Sequence, residues 1–384
     1  MANSATAQTP NWRPLLRQAH IYGGLFLAFF LFMQAVTGIA LIFLHELVEA
    51  ENPHLAIAEE DRPYATIDQV VTAAEGAGGY ILEEVYAPQA RFRFNVFVAF
   101  TSRANETVDG PDDALLAFHP YSGELLATLD LTQMLSLLPL IYHSNLLTLN
   151  DGGRTVIASI GLAMFFMAIV GLVLWRPRPG QALKKLRNFR VHGPWSAKAF
   201  RLHSIGGFWL FVPLAFLGFS AFAMHKPDLV WLGDPEASRE QIEAWKKLDA
   251  DTGCEPATMD AAVARALEMR PGSRVSVVSR PRNSTPFWWI RLKSDQDVTA
   301  VAGDFVAFLS PRCLAPYTVQ DVSDYGYWHR ETMVSLHTGR MFGYAGEAVI
   351  LLSGIVLMVL PITGVWIWWS RRRRKRASRA ALAS

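Results

Sequence analysis

Four runs of apolar residues without a single Asp, Glu, Lys or Arg stand out along this 384-residue chain: Ile21 to Leu44, Thr155 to Trp175, Leu202 to His225 and Ala348 to Ser370. Each is long enough to cross the ~30 Å hydrocarbon core as a helix rising ~1.5 Å per residue. A further uncharged stretch, Leu131 to Asn150, contains Pro139, His143, Ser144, Asn145 and Asn150. It reads as an interfacial approach to the second span, bent at Asp151-Gly-Gly153, because a fifth span would invert every later segment. The stretches 46–142 and 226–336 each carry a short amphipathic helix followed by strands. Thr66 and Thr258 stand at the N-cap positions of the two helices. Strands are expected at Ile81 to Tyr86, Arg91 to Phe100 and Leu115 to His119, and again at Val275 to Ser279, Phe287 to Leu292 and Asp304 to Leu309.

Charge orients this pattern. Segments 1–19, 176–201 and 371–384 hold 17 Lys or Arg and no acid, whereas 46–154 and 226–347 hold 19 basic and 34 acidic residues. The positive-inside rule makes the three basic segments and both termini cytoplasmic and puts the two large segments outside. Arg371 to Arg376 directly follows a span and reads as a stop-transfer anchor at anionic headgroups rather than a nucleic-acid patch. The first span lacks a small-residue cleavage site and is not a removed signal peptide. The two cysteines, Cys254 and Cys313, fall in the second outer segment, where an oxidising compartment permits a disulfide.

Histidines stand at corresponding places in the two halves, which gives the chain an internal two-fold repeat. The first and third runs open as His20-Ile-Tyr-Gly-Gly and His203-Ser-Ile-Gly-Gly, and each closes with a histidine seven residues after a glycine, His45 and His225. His143 and His337 precede the second and fourth runs, which end in Gly171-x-x-x-Trp175 and Gly364-x-x-x-Trp368. An ionisable group inside a membrane is costly and marks function by default. Symmetric imidazole pairs point to haem ligation, and the absence of Cys-x-x-Cys-His restricts it to haem b. His20 and His203 lie at one depth near the cytoplasmic ends of their spans, with Gly23, Gly24, Gly206 and Gly207 clearing space one turn away. His54, His119, His192 and His329 are unpaired and read as surface or domain residues.

Several motifs extend the picture to a family. Phe118-His-Pro-Tyr-Ser-Gly-Glu-Leu-Leu126 resembles the hairpin of PepSY domains, and His20-x-x-x-Gly with Thr37-Gly38 resembles the first helix of the PepSY-associated transmembrane family. His143 to Trp175 and Leu336-His-Thr-Gly-Arg to Gly364-Val-Trp-Ile-Trp resemble that family's later helices. The resemblance covers about residues 12–375, and the family includes bacterial inner-membrane reductases of ferric siderophores. Ser310-Pro-Arg-Cys-Leu departs from the hairpin pattern, as Gly218-Phe-Ser departs from Thr-Gly. The resemblance makes His143 and His337 the favoured outer haem pair. His45 and His225 remain as ligands of a further haem or as headgroup residues near the substrate.

The expected architecture is an α-helical membrane protein with four transmembrane helices and two small α+β PepSY-like periplasmic domains. Its segments are 1–19 cytoplasmic, 20–45 first span, 46–142 first domain, 143–175 interfacial segment and second span, and 176–201 basic loop. They continue as 202–225 third span, 226–336 second domain, 337–370 fourth span and 371–384 tail. The expected activity is that of an oxidoreductase of the inner membrane, carrying two haems b and reducing a periplasmic ferric siderophore. With no nucleotide fingerprint in the chain, electrons come from a separate donor, a quinol or a cytoplasmic reductase. Membrane lipid is the other partner, and no nucleic acid is expected. Two further readings stay open: a non-redox module that regulates a periplasmic protease or partner, and a siderophore permease.

Overall fold

The computed structural model describes residues 12–76, 80–89, 94–103, 114–130, 133–148, 151–175, 193–232, 239–249, 253–282, 285–297, 303–325 and 328–383. His192 and most of the 176–201 loop lie outside them. The chain divides into a helical unit, from residues 1–42, 140–226 and 348–384, and a unit built on a sheet, from 43–139 and 227–347.

In the helical unit, α1 (Arg13–Ile42), α5 (Asp151–Trp175) and α11 (Gly343–Ala383) are each long and apolar enough to span a membrane. A fourth span exists if α6 (Trp195–Trp209) and α7 (Phe211–His225) are taken together. The third run is therefore not one straight helix: its halves meet at 70°. Pro213 is the third residue of α7, so it offers no amide to the Trp209 carbonyl and its ring crowds that turn; the chain breaks at Leu210 (φ −106°). The first run also differs, since α1 begins nearly two turns before His20 and stops at Ile42, leaving His45 in a separate helix, α2 (Leu44–Glu51). The basic tail continues α11 as helix.

Glycines bring the spans together. A Cβ on Gly161 of α5 or Gly218 of α7 would come within 2.7 Å of the other's carbonyl oxygen, and one on Gly354 of α11 within 2.8 Å of Ile39 in α1. Lipid offers helices no hydrophobic drive to associate, so close backbone approach at small residues supplies it. The interfacial helix α4 (Leu138–Asn145) reverses at Leu146 and Leu147, both with positive φ, rather than at Asp151-Gly-Gly153, which already belongs to α5.

The second unit corrects the expectation of two separate small domains. Strands β1 (Tyr80–Tyr86), β2 (Phe97–Arg103), β3 (Ala114–Phe118) and β4 (Leu125–Asp130) form one antiparallel meander. Strands β5 (Arg274–Ser279), β6 (Trp288–Lys293), β7 (Phe305–Leu309) and β8 (Pro316–Asp321) form another. They join through β1 and β5, Val85 opposite Val278, into one eight-stranded sheet of order 4-3-2-1-5-6-7-8. An unpaired inner edge would expose a row of backbone donors and acceptors, and this pairing removes both at once. Helices α3 (Ile67–Gly76) and α9 (Met259–Met269) share one core on the sheet, with Val70, Ala74, Ala262, Ala266, Leu116 and Ile290 all buried. The two helix starts also grip each other. Asp68 N–H donates to the Asp260 carboxylate (3.2 Å) and Asp260 N–H to that of Asp68 (3.3 Å).

The hairpin absent from the second half by sequence is present in space. In the first, Gly123 (φ +75°) turns the chain, His119 N–H donates to the Glu124 carbonyl, and the Pro120 carbonyl accepts from Ala65. In the second, Leu314 (φ +54°) takes the glycine's place, Ser310 N–H donates to Ala315, and the Pro311 carbonyl accepts from Ala257. A left-handed leucine costs ~1–2 kcal/mol, and the neighbouring Cys313 is bonded to Cys254, their Cα atoms 5.5 Å apart. Gly123→Ala should lower the stability of the sheet unit by about 1–2 kcal/mol, from its positive φ and a Cβ only 3.1 Å from that of Gln69. A shift in thermal midpoint below that expected of a solvent-exposed Gly→Ala control would contradict this.

One polar cluster lies deep in this unit. Arg291 of β6 is 4% exposed and pairs with Glu331 at 3.1 Å, and the neighbouring His329 is 2% exposed. His329 caps α10 (Arg330–His337), its Nδ1 accepting from Glu331 N–H at 3.1 Å. Burial lowers its pKa to about 4, with the Arg291 and Arg330 charges adding to the effect against Glu331. The unfolded chain therefore takes up a proton near pH 6.5 that the folded chain refuses until about pH 4, so this group makes stability fall with pH across that window. Melting curves between pH 7 and 4 should show the fall, and His329→Gln should flatten it; an unchanged slope in that variant would rule out His329 as the cause.

Candidate functional site

His20 is the eighth residue of α1 and His203 the ninth of α6, and their rings meet with centroids 6.1 Å apart at an interplanar angle of 84°. Each ring rests on a glycine. A Cβ on Gly171 of α5 would sit 3.2 Å from His20 Cε1, and one on Gly364 of α11 3.3 Å from His203 Cε1. These are the glycines of the two Gly-x-x-x-Trp motifs, so the motif's first residue is where an imidazole enters the helix surface.

The carbonyl one turn before each glycine completes the seat. His203 Nδ1 lies 3.0 Å from the Leu360 carbonyl oxygen and 3.1 Å from Thr363 Oγ1. A carbonyl can only accept, so Nδ1 carries the proton. The Met167 carbonyl stands in the same relation to Gly171 and His20, but there Nδ1 is buried without a hydrogen bond of full geometry. His143 of α4 repeats the seat on α1: Nδ1 is 3.1 Å from Thr37 Oγ1, the Gln34 carbonyl lies alongside, and a Cβ on Gly38 would come within 2.9 Å of Cε1. Thr37 Oγ1 itself donates to the Met33 carbonyl (2.7 Å), which leaves its lone pair for the imidazole. With Nδ1 engaged, Nε2 is the nitrogen left to a ligand, as in metal-binding histidines held by a backbone carbonyl.

His20 and His203 open onto a cavity of about 1960 Å³ among α1, α5, α6, α7 and α11. This exceeds the ~300–1,000 Å³ of an ordinary small-molecule pocket. Its walls are apolar and glycine-lined, with Leu31, Met164, Met167, Leu214 and Leu357, and Gly24, Gly171, Gly207 and Gly364. Among the described residues no Asp or Glu lines it, and arginines gather at one end.

The remaining histidines divide. His225 ends α7 in the same unit and interacts electrostatically with His143. His45 belongs to the sheet-bearing unit, where Nδ1 pairs with Glu46 at 2.7 Å and the ring meets Phe94 edge-on. His337 ends α10 of that same unit. His119 accepts from the amides of Tyr121 and Ser122 in the first hairpin, a structural role. Among the described residues no cluster of three or more His, Cys, Asp or Glu is arranged for a bare metal ion.

A membrane unit whose helices seat histidines on Gly38, Gly171 and Gly364, joined in one chain to a PepSY-type hairpin, has a match among known families. The model of the PepSY-associated TM region covers residues 17–371. The chain belongs to this family. No curated protein matches it. As a PepSY-associated transmembrane protein it carries its histidine seats within the matched region, at the Thr-Gly and Gly-x-x-x-Trp positions. Sequence reasoning missed that Thr37, Thr363 and the Leu360 carbonyl hold the imidazoles; the recurring Thr-Gly pairs, 37–38 and 363–364, were the available signal.

Proposed function

We propose that this protein is a haem-b oxidoreductase of the bacterial inner membrane that reduces a ferric siderophore outside with electrons from a separate donor. The observation that carries the reading is the facing of His20 and His203 across an apolar cavity. Their ring centres are 6.1 Å apart, a separation at which one metal would come within ~2 Å of a nitrogen of each ring. The glycines under both rings and the cavity's size also fit a flat macrocycle. Bound there, haem would supply a one-electron carrier.

The chain's own residues would do the rest. The Leu360 carbonyl and Thr363 hydroxyl fix the tautomer and plane of His203, while Gly171 and Gly364 admit the rings to the helix surfaces without strain. The family setting, the basic segments free of acid and the paired spacings support both termini inside, four spans, the sheet outside and an internal two-fold repeat. A second haem would use His143, seated like His203, with His225 of the same unit as its partner. Reducing the iron lowers its charge and so weakens its hold on hard oxygen chelators. Electrons reach the inner side from quinol or a cytoplasmic reductase.

The test is a reduced-minus-oxidised spectrum and pyridine haemochrome assay on the purified full-length protein. Wild type should show a low-spin bis-imidazole haem b. His20→Ala and His203→Ala should each lose the same haem, and Gly364→Leu, which drives a side chain into His203, should lose it too. Ferric-chelate reduction should fall at least tenfold in each. A protein with no haem band would sink the redox reading and leave the non-redox module or permease standing.

A further inference from the structure

The arginines at one end of the His20–His203 cavity do more than anchor a helix at the membrane surface. Arg17 lines the cavity from α1 and Arg371 from α11, and the two repel each other across it. Arg374 adds a third charge to the same cluster. Segments 1–19 and 371–384 contain no acid, and none lines the cavity. Arg371 is half-buried with its guanidinium 5.8 Å over the Phe200 ring. Arg17 is exposed and Arg371 half-buried, and among the described residues no acid of the cavity lining offers either a counter-charge. An anion with planar oxygen pairs is the ligand their geometry suits.

Their placement along the helices singles out two of them. Arg17 precedes His20 by three residues, and residues three apart share a helix face. Arg371 follows Gly364 by seven, two turns on, so it stands above the glycine under His203. Arg201 also lines the cavity, but two residues from His203 it does not share that histidine's helix face.

We infer that Arg17 and Arg371 clamp the propionate carboxylates of the haem in this cavity and so fix its orientation, carboxylates toward the arginine-rich end. This rests on the haem reading above. It adds something that reading does not need: the site distinguishes haem from an uncharged porphyrin by its periphery as well as by its iron.

The experiment titrates the haem-depleted full-length protein in detergent with haem b and with haem dimethyl ester, whose propionates are blocked. Wild type should bind the free acid about tenfold to a hundredfold more tightly than the ester, as loss of charge-assisted hydrogen bonds implies. Arg17→Gln with Arg371→Gln should erase that preference while both forms keep a bis-imidazole spectrum. Arg373→Gln, whose guanidinium lies 4.9 Å over Trp369 and does not line the cavity, should retain it. A double variant that keeps the wild-type preference overturns the clamp. So does one that loses co-purifying anionic phospholipid with haem discrimination intact, since the arginines then serve lipid phosphate. If wild type takes up neither form, the haem reading itself fails; if it takes up both equally, only the clamp does.

Discussion

An imidazole carried into the interior of a helix bundle needs a hydrogen-bond partner and room for its ring, and lipid supplies neither. A helix meets both needs at once where a glycine follows a carbonyl by four residues. The glycine removes the side chain that would cover the carbonyl, and the ring lies down in its place. Gly364 with the Leu360 carbonyl, Gly38 with that of Gln34 and Gly171 with that of Met167 are three instances. The membrane unit is organised around these seats, and the helix contacts at Gly161, Gly218 and Gly354 hold the helices that carry them.

Pro361 lies inside α11 directly after Leu360, and it takes the helical donor from the Leu357 carbonyl four residues back. Thr363 bonds back to both Val359 and Leu360 and offers its remaining lone pair to the ring.

The membrane half of the fold was legible in the sequence because its signals are local. Uncharged runs gave the spans, and the matched openings at His20 and His203 singled out the two rings that meet. The bend at Leu210 was missed although Pro213 was in view, because length and hydropathy alone favour one continuous helix. The fused sheet was not legible at all: Val85 and Val278 are paired by nothing nearer in the chain than their common need for an edge partner. Leu314 hid the second hairpin, since a turn pattern that expects glycine does not see a leucine forced into its conformation by the strands on either side. The arginine cluster was visible as a charge run, but only the packing of α1 beside α11 showed that part of it lines a cavity.

The joining of β1 to β5 sets the order in which the chain can be completed. When ribosomal synthesis has delivered the first four strands, the partner of β1, nearly two hundred residues along the chain from it, is still to come, beyond the spanning helix α5 and the bent pair α6 and α7. The early meander must wait with an open edge while those segments insert, a state prone to pairing with the wrong strand. Such long-range closure is slow. The half-built sheet is therefore the stage of folding at which an open strand edge is longest exposed.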